Sequence, residues 1–381
     1  MRVLTRPNLG GPTRQAIALW HAHRELGATT LLVTGIVDAG ETMLSPAAGA
    51  VPQLTWEEAL GAGEQASGWV QVDAMQRGVR PWRDRQAVRG LRQLLRTFRP
   101  EVVHTHTSKA GWLGRQAAWA EGGALIAHTF HGHVLQDYFS PPLAMWLRWL
   151  ERRWARRSDL LFAVSASCAE ELAAAGVAAR DRLVVVPPAV PLVPRLSRTQ
   201  ARHHLSLGVE PRVVCVGRLV PIKRVAHFVE MVGQLGGVYG DVVGDGPERK
   251  ALTSLAAQVA PLHMTFRGPQ AHVASWLSAY DALVLPSVRE GLPLVAVEAF
   301  RAGVPVVGYD VPGVRDALAA GRGVLVPVAS GPAGLAAAVR AVLAGSAAPT
   351  RAAVDEFAPA AVASTLLRYY LTAQDQRSSL P

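Results

Sequence analysis

Apolar residues in this chain fall into short unbroken runs, and between the runs they recur at helical spacing. Runs bounded by Gly, Pro or charge read as buried strands, and the spaced stretches as amphipathic helices. In the first half the pattern predicts strands over Thr29–Val33, Val102–His104, Leu125–Thr129, Leu160–Val164 and Leu183–Val186. It predicts helices over Gln86–Phe98, stopped by Pro100, then Gly111–Ala120, Leu143–Arg157 and Ala169–Ala175. Pro46–Val70 is Gly- and Ala-rich and reads as an irregular surface excursion. The Pro-rich stretch Pro187–Arg198 reads as a linker. Beyond it the alternation resumes: strands over Val213–Val216, Val238–Val243, Met264–Phe266, Ala282–Leu285, Val304–Val307 and Gly323–Val326, with helices from about Ala226, over Glu248–Val259 and over Ala333–Leu343. Val354–Leu371 reads as one helix kinked near Pro359, with a frayed tail after it.

Strands alternating with helices imply an α/β fold with mainly parallel sheets covered on both faces. The expected architecture is two Rossmann-like domains facing each other across a cleft. The expected boundaries are 1–190 and 191–353, with helix 354–371 packing back on the first domain. Interdomain clefts are common small-molecule sites.

Within the second half, the run Asp281–Gly313 places two glutamates, Glu290 and Glu298, inside an oily strand-loop-helix-strand unit. Glu290 falls where a strand hands over to a helix, at the carboxyl edge of the sheet, where open α/β folds hold ligands. A helix from about Leu294 would set Glu298 just past its first turn, half-buried, where a carboxylate can accept two hydrogen bonds from the vicinal diol of a ribose. The other reading of Glu298 is a fold-stabilising carboxylate, and of Glu290 a solvated one. Glu290 is suited to sugar hydroxyls, and the N–H groups around Gly291–Leu294 to a phosphate.

Charge adds to this picture. The 381 residues carry 39 Lys and Arg against 29 Asp and Glu, a net charge of +10. That favours anionic partners without choosing among nucleotide, nucleic acid and acidic membrane. Aromatic interleaving and a nucleic-acid recognition element are absent, so no nucleic-acid partner is expected. Two distant cysteines, Cys168 and Cys215, make no disulfide framework. The N-terminal stretch lacks a secretory pattern and no apolar run is of membrane-spanning length. The expected location is cytoplasmic, with peripheral association at the inner face of the cell membrane as a further expectation.

The phosphate candidates lie on loops after strands. Arg218 and Lys223, in VGRLVPIKR, stand close behind a strand end, and a planar fork plus a mobile point charge can clamp a diphosphate. A basic loop of this kind is also ordinary surface. Gly246, in VGDGPE, and the pair Gly10–Gly11 let backbone approach a ligand closely, though either could be a plain turn. Histidines gather in HTHTSKAG and HTFHGH. No Cys and no helical H-x-x-x-H accompanies them, so a phosphate or sugar contact is favoured over zinc. His131 is the chosen residue because Gly132 keeps its surroundings open, whereas His104 reads as internal. The helix from Pro141 to Arg157 gathers Leu143, Trp146, Leu147, Leu150 and Trp154 on one face beside Arg148, Arg152 and Arg156. That face is expected to pack on the sheet, with the basic flank available to acidic lipid.

Taken together, PSVREGLPLVAVEAFRAGVPVV, Gly10–Gly11, the Val216–Leu219 segment with Lys223, and Gly244 and Gly246 around Asp245 resemble the retaining glycosyltransferases of the family 4 group, with GT-B architecture. The likeness runs over nearly the whole chain and extends, through the two His-rich segments, to bacterial enzymes that build polysaccharides or glycolipids. It implies transfer of a hexose or N-acetylhexosamine from a nucleoside-diphosphate sugar, a UDP-sugar by family weight, to a glycan, lipid-linked or small-molecule acceptor. It implies that Glu298 holds the ribose, Glu290 the donor sugar, Arg218 and Lys223 the diphosphate, and that His131 lies by the transferred sugar and its phosphate. Gly11 would close over the phosphates, backbone near Arg267 and Gly268 would meet the base, and Leu292, Pro293 and Leu294 would line the sugar pocket. The family's Asn-Gly after the last strand of the first domain is here Pro188–Ala189. No D-x-D triplet occurs, so no metal and no cofactor beyond the donor substrate is expected. The competing reading is a UDP-sugar 2-epimerase of the same two-domain shape; a periplasmic-type sugar-binding protein would need a signal peptide.

Overall fold

The computed structural model describes residues 1–38, 41–44, 52–132, 141–319, 323–345 and 354–379. The chain divides into two compact units, Met1–Pro191 with Glu356–Pro381, and Leu192–Asp355.

The first unit is built on eight strands: β1 (Arg2–Leu4), β2 (Leu31–Thr34), β3 (Gln53–Leu54), β4 (Gly68–Gln71), β5 (Val102–His106), β6 (Leu125–Phe130), β7 (Leu160–Ala163) and β8 (Leu183–Val185). They lie in the order β3-β4-β2-β1-β5-β6-β7-β8, parallel throughout. The second unit has β9 (Arg212–Val216), β10 (Tyr239–Val243), β11 (Met264–Gly268), β12 (Ala282–Leu285), β13 (Val306–Tyr309) and β14 (Val324–Val326), ordered β11-β10-β9-β12-β13-β14 and again all parallel. This is the Rossmann strand order, and the first unit follows it with extra edge strands. The central strands are apolar almost without interruption because helices cover both faces. In each sheet the order reverses beside the first strand, between β1 and β5 and between β9 and β12. Loops leaving those strands part at the carboxyl edge and open a crevice.

Three expectations about the chain are corrected. Pro46–Val70 is not an irregular excursion in its described part: β4 enters the sheet with Trp69 and Val70 fully buried, and residues 46–51 lie outside the described residues. The short run there hid the strand, since Gly68 stands where a Cβ would meet Pro52 O at 2.8 Å. The Pro-rich linker is as read, with the boundary between the units at Pro191–Leu192, and it leads into a helix, Arg198–His204, started by a Ser197–Gln200 capping box. Pro359 does not kink the last helix but begins it, at a position where its missing N–H costs nothing. That helix runs on to Ser378 without fraying at Ala373, and Val362, Ala363, Leu366 and Tyr370 pack against Ala18, Leu19 and Ala22 of the helix Gly11–Glu25 within the first unit.

Candidate functional site

In the second unit, three loops at the carboxyl edge converge on Glu290. The loop after β9 turns at Gly217–Leu219 and then forms a short 3-10 turn, Pro221–Lys223. It interlocks with the loop after β10: Gly217 N donates to Val243 O at 2.9 Å and Leu219 N to Asp245 O at 2.9 Å. A Cβ on Gly244, whose φ is +135°, would stand 1.9 Å from Gly217 O, and one on Gly246 would stand 2.4 Å from Leu219 O. Gly246 therefore has a packing reason to be glycine, whatever it does for a ligand.

The loop after β12 is tied to the first by Val288 N donating to Ile222 O at 3.0 Å. Ser287, 2% exposed, donates its Oγ to Glu290 Oε1 at 2.7 Å. Lys223 Nζ forms an ion pair with the same oxygen. The third loop, after β13, brings Gly313 at φ +78° against this turn, where a Cβ would lie 2.3 Å from Glu290 O and 2.7 Å from Gly291 O.

Of the two cations read as a diphosphate clamp, Lys223 is held by Glu290, whereas Arg218 is exposed and makes no side-chain bond among the described residues. Opposite charges placed on neighbouring loops find each other when no anion is between them. Glu298, on the helix Leu294–Arg301, is 2% exposed, buried rather than half-buried. Burial pulls the Arg301 guanidinium down from its ordinary pKa, and the nearby Glu298 carboxylate opposes that pull. Pro293 and Leu294 are buried and Leu292 is half-buried against the core, so this turn presents mainly backbone. The Arg267 side chain turns to the buried Asp241, and Gly268, at φ +70°, accepts from Gly244 N at 2.8 Å.

In the first unit, Gly10 is the N-cap of the helix Gly11–Glu25, with no acidic residue in its first turn. Asn8 shapes the approach: Gly10 N donates to Asn8 O at 2.7 Å and Thr13 Oγ1 to Asn8 Oδ1 at 3.1 Å. Arg6 pairs with Glu41 through two bonds, at 2.5 and 2.7 Å. The contacts of Arg6, Asn8, Glu41, Ser287 and Gly313 escaped sequence reasoning, although Asn8 heads the Gly10–Gly11 segment and Ser287 and Gly313 lie in the glutamate run.

His131 follows β6. Its surroundings are not open as expected: His131 Nε2 lies 3.0 Å from His106 Nδ1, and burial followed by the charge of Arg2 pushes its pKa down to about 3. The cause is strand register. Side chains alternate along a strand, so His104 and His106 share a face of β5, and Arg2 pairs with His104 across β1. Burial holds His104 and His106 well below the ordinary histidine range, and His104 is internal as read, at 2% exposure. Among the described residues no three His, Cys, Asp or Glu gather as metal ligands; His133 lies outside them.

A family model described as "Glycosyl transferases group 1" matches residues 210–345, and one described as "Glycosyltransferase Family 4" matches residues 69–194. The chain is 34% identical to a 2-deoxystreptamine N-acetyl-D-glucosaminyltransferase of Streptomyces fradiae over 247 residues, 58% of each chain. It is 27% identical to a UDP-Gal:alpha-D-GlcNAc-diphosphoundecaprenol alpha-1,3-galactosyltransferase of Escherichia coli, over 64% of this chain and 66% of that one. The matched stretch thus spans about three-fifths of these relatives' length. In structure the chain resembles HepE of Anabaena, crystallised with UDP and glucose, at a TM-score of 0.71 and 17% identity, covering 100% of both chains. The models and relatives give no support to a 2-epimerase. With a glycosyltransferase model on each of two Rossmann-like units, the chain is similar to the GT-B glycosyltransferases, among them those that build bacterial polysaccharides and glycolipids.

Proposed function

We propose that this chain transfers a hexose or N-acetylhexosamine from a UDP-sugar, with retention of configuration and without a metal, to a hydroxyl of a glycan, lipid-linked or small-molecule acceptor. The observation that carries the reading is the convergence of three loops on the Lys223–Glu290 pair at the strand-order reversal of the second unit. A UDP-named donor in the E. coli relative and UDP with glucose in the Anabaena neighbour support the choice of donor.

In this reading an arriving diphosphate draws Lys223 from Glu290. The ammonium and Arg218, with N–H groups at the start of the helix Leu294–Arg301, meet the charge that grows on the leaving phosphate, which lowers the barrier. Glu290, relieved of Lys223 and still held by Ser287, turns its acceptor capacity to hydroxyls of the donor sugar. Glu298 takes the ribose diol, and backbone near Arg267, Gly268 and Gly291 the rest of the nucleotide. Gly10, Gly11 and His131 are proposed as ligand contacts on the edge of their own sheet. The leaving phosphate accepts the proton of the acceptor hydroxyl, so no carboxylate base is invoked. Lys223→Ala and Glu298→Ala are each expected to lower kcat/KM at least about 100-fold against a panel of UDP-sugars and acceptors, with urea midpoints near that of the parent. Parental UDP affinity and turnover in both variants would remove these assignments.

We further propose that the acceptor side meets an anionic membrane surface. No helix among the described residues is long and apolar enough to cross a bilayer. The helix Pro141–Ala155 buries Leu150 and Trp154 of its apolar face, and away from that face leaves Met145 68% and Trp149 55% exposed. Trp119, on the neighbouring helix Ser108–Glu121, is 53% exposed. Arg157 lies 4.8 Å over the Trp119 ring and Arg153 5.7 Å over Trp149. Indole rings bordered by arginines suit a headgroup layer. Arg152 is tied to Gly176 O at 2.6 Å, so Arg153 and Arg156 are the better test. Sedimentation with vesicles rich in phosphatidylglycerol is expected, falling about tenfold in Arg153→Glu/Arg156→Glu; background binding by the parent defeats the idea.

A further inference from the structure

Arg2 is an unusual residue for a central strand: 6% exposed, it faces histidines and Tyr370 rather than a carboxylate. A guanidinium has donors and no acceptor, and a neutral imidazole has one of each. Those two facts give the hydrogen bonds a direction. Arg2 Nη1 is 2.5 Å from His106 Nε2, so Nε2 accepts and the ring proton is on Nδ1. That Nδ1 is 3.0 Å from His131 Nε2, so His131 accepts there and carries its own proton on Nδ1. The second branch agrees. Arg2 Nη1 lies 3.4 Å from His104 Nδ1, which the Tyr370 hydroxyl also reaches, leaving His104 Nε2–H to donate to Thr129 Oγ1 at 2.7 Å. A second proton on either His106 or His131 would set donor against donor.

We propose that Arg2 and His106 are positioning residues that hold His131 as the neutral Nδ1–H tautomer, so that His131 offers a ligand oxygen a hydrogen bond and moves no proton. The consequence for the ligand rests on His131 contacting the donor, as proposed above; the tautomer does not. Burial, with the charge of Arg2, keeps the rings neutral, which lets the chain persist at ordinary pH. The geometry takes Nε2 out of use as a base, so His131 recognises an oxygen of the sugar or its phosphate.

Nitrogen-15 spectra of the histidine-labelled full chain test this, with the His131 signals identified by their loss in His131→Gln. The parent is expected to show a protonated Nδ1 and a bare Nε2 from about pH 6 to pH 8. A proton on Nε2, or a charged ring in that range, overturns the proposal. In His106→Phe the His131 ring should sample both tautomers, and affinity for the best-bound UDP-sugar of the panel should fall about tenfold. His106→Asn, whose amide nitrogen stands where Nδ1 stood, should restore both. Weakened affinity in His106→Phe with His131 still wholly Nδ1–H would overturn the positioning role. The expected tautomers together with parental UDP-sugar affinity in His131→Gln would overturn the placing of His131 at the donor and leave the hydrogen-bond chain intact.

Discussion

Taking the protein from pH 7 to pH 5 is expected to destabilise the first unit by several kcal/mol more than the second. Five histidines of the first unit are held neutral by low pKa values, the buried His23, His104, His106 and His128 and the half-buried His131. Burial lowers each of them, and the positive charge of Arg2 or Arg115 adds to it. In the unfolded chain each titrates at its ordinary value near 6.5. The stabilisation is therefore whole above about pH 6.5 and is lost as pH falls, because the unfolded chain takes up protons that the native rings refuse. The loss continues down to about 4 for His23 and about 3 for His131. For His23 and His131 the loss at pH 5 is roughly 2 kcal/mol each, and His104, His106 and His128 add to it in the same direction, against a whole-domain stability of about 5–15 kcal/mol. In the second unit His227 is lowered too, but it is only partly covered. Hydrogen exchange mapped by peptide over this range checks it. Equal loss of protection in both units, or histidines of the first unit titrating near 6.5 in the native protein, would count against it.

Asp241→Ala is expected to destabilise the second unit by about 3–5 kcal/mol, the range for breaking a buried ion pair on one side. Asp241 sits fully buried on β10. It accepts from Arg212 Nη1 at 2.5 Å, from Arg267 Nε and from the Tyr280 hydroxyl at 2.7 Å. Removing the carboxylate leaves Arg212, 9% exposed, as a charge in the core with the face of Tyr239, 4.9 Å away, in place of an anion. The Tyr280 hydroxyl, whose pKa is raised by burial and by Asp241, loses its acceptor as well. Urea unfolding should show the midpoint drop. A change within about 1 kcal/mol would mean that water or a rearranged Arg267 replaces the carboxylate. Because Arg267 leads into the Gly268 turn, the same substitution is expected to loosen the backbone proposed to meet the base.

What could be read in advance follows from how local the cause is. Parallel strands buried on both faces must be continuously apolar, so runs such as Ala282–Leu285 were visible one by one. Prolines and glycines that end elements are equally local. The strand β4 was missed because its burial comes from pairing with β2, a partner distant in the chain. The helix Pro359–Ser378 was visible, but its start was misplaced because a proline interior to a pattern and a proline at its first turn look alike from composition alone.

At the candidate site the same division holds. The residue types and their places at strand ends determined the fold class, the edge of the sheet where the chemistry is proposed, and the pairing of Glu290 with a sugar-nucleotide reading. Only the tertiary structure decided what each group faces. Lys223 and Glu290 are far apart in sequence, and loop convergence alone sets them against each other. Gly244 and Gly246 look like ligand glycines until the Gly217–Leu219 turn is seen resting on them. His131 looked open beside Gly132, and the register of β1, β5 and β6 placed His106 and Arg2 behind it. Short-range sterics and periodicity are written along the chain, whereas the sign and direction of a charge interaction depend on distances that only the packed sheet creates.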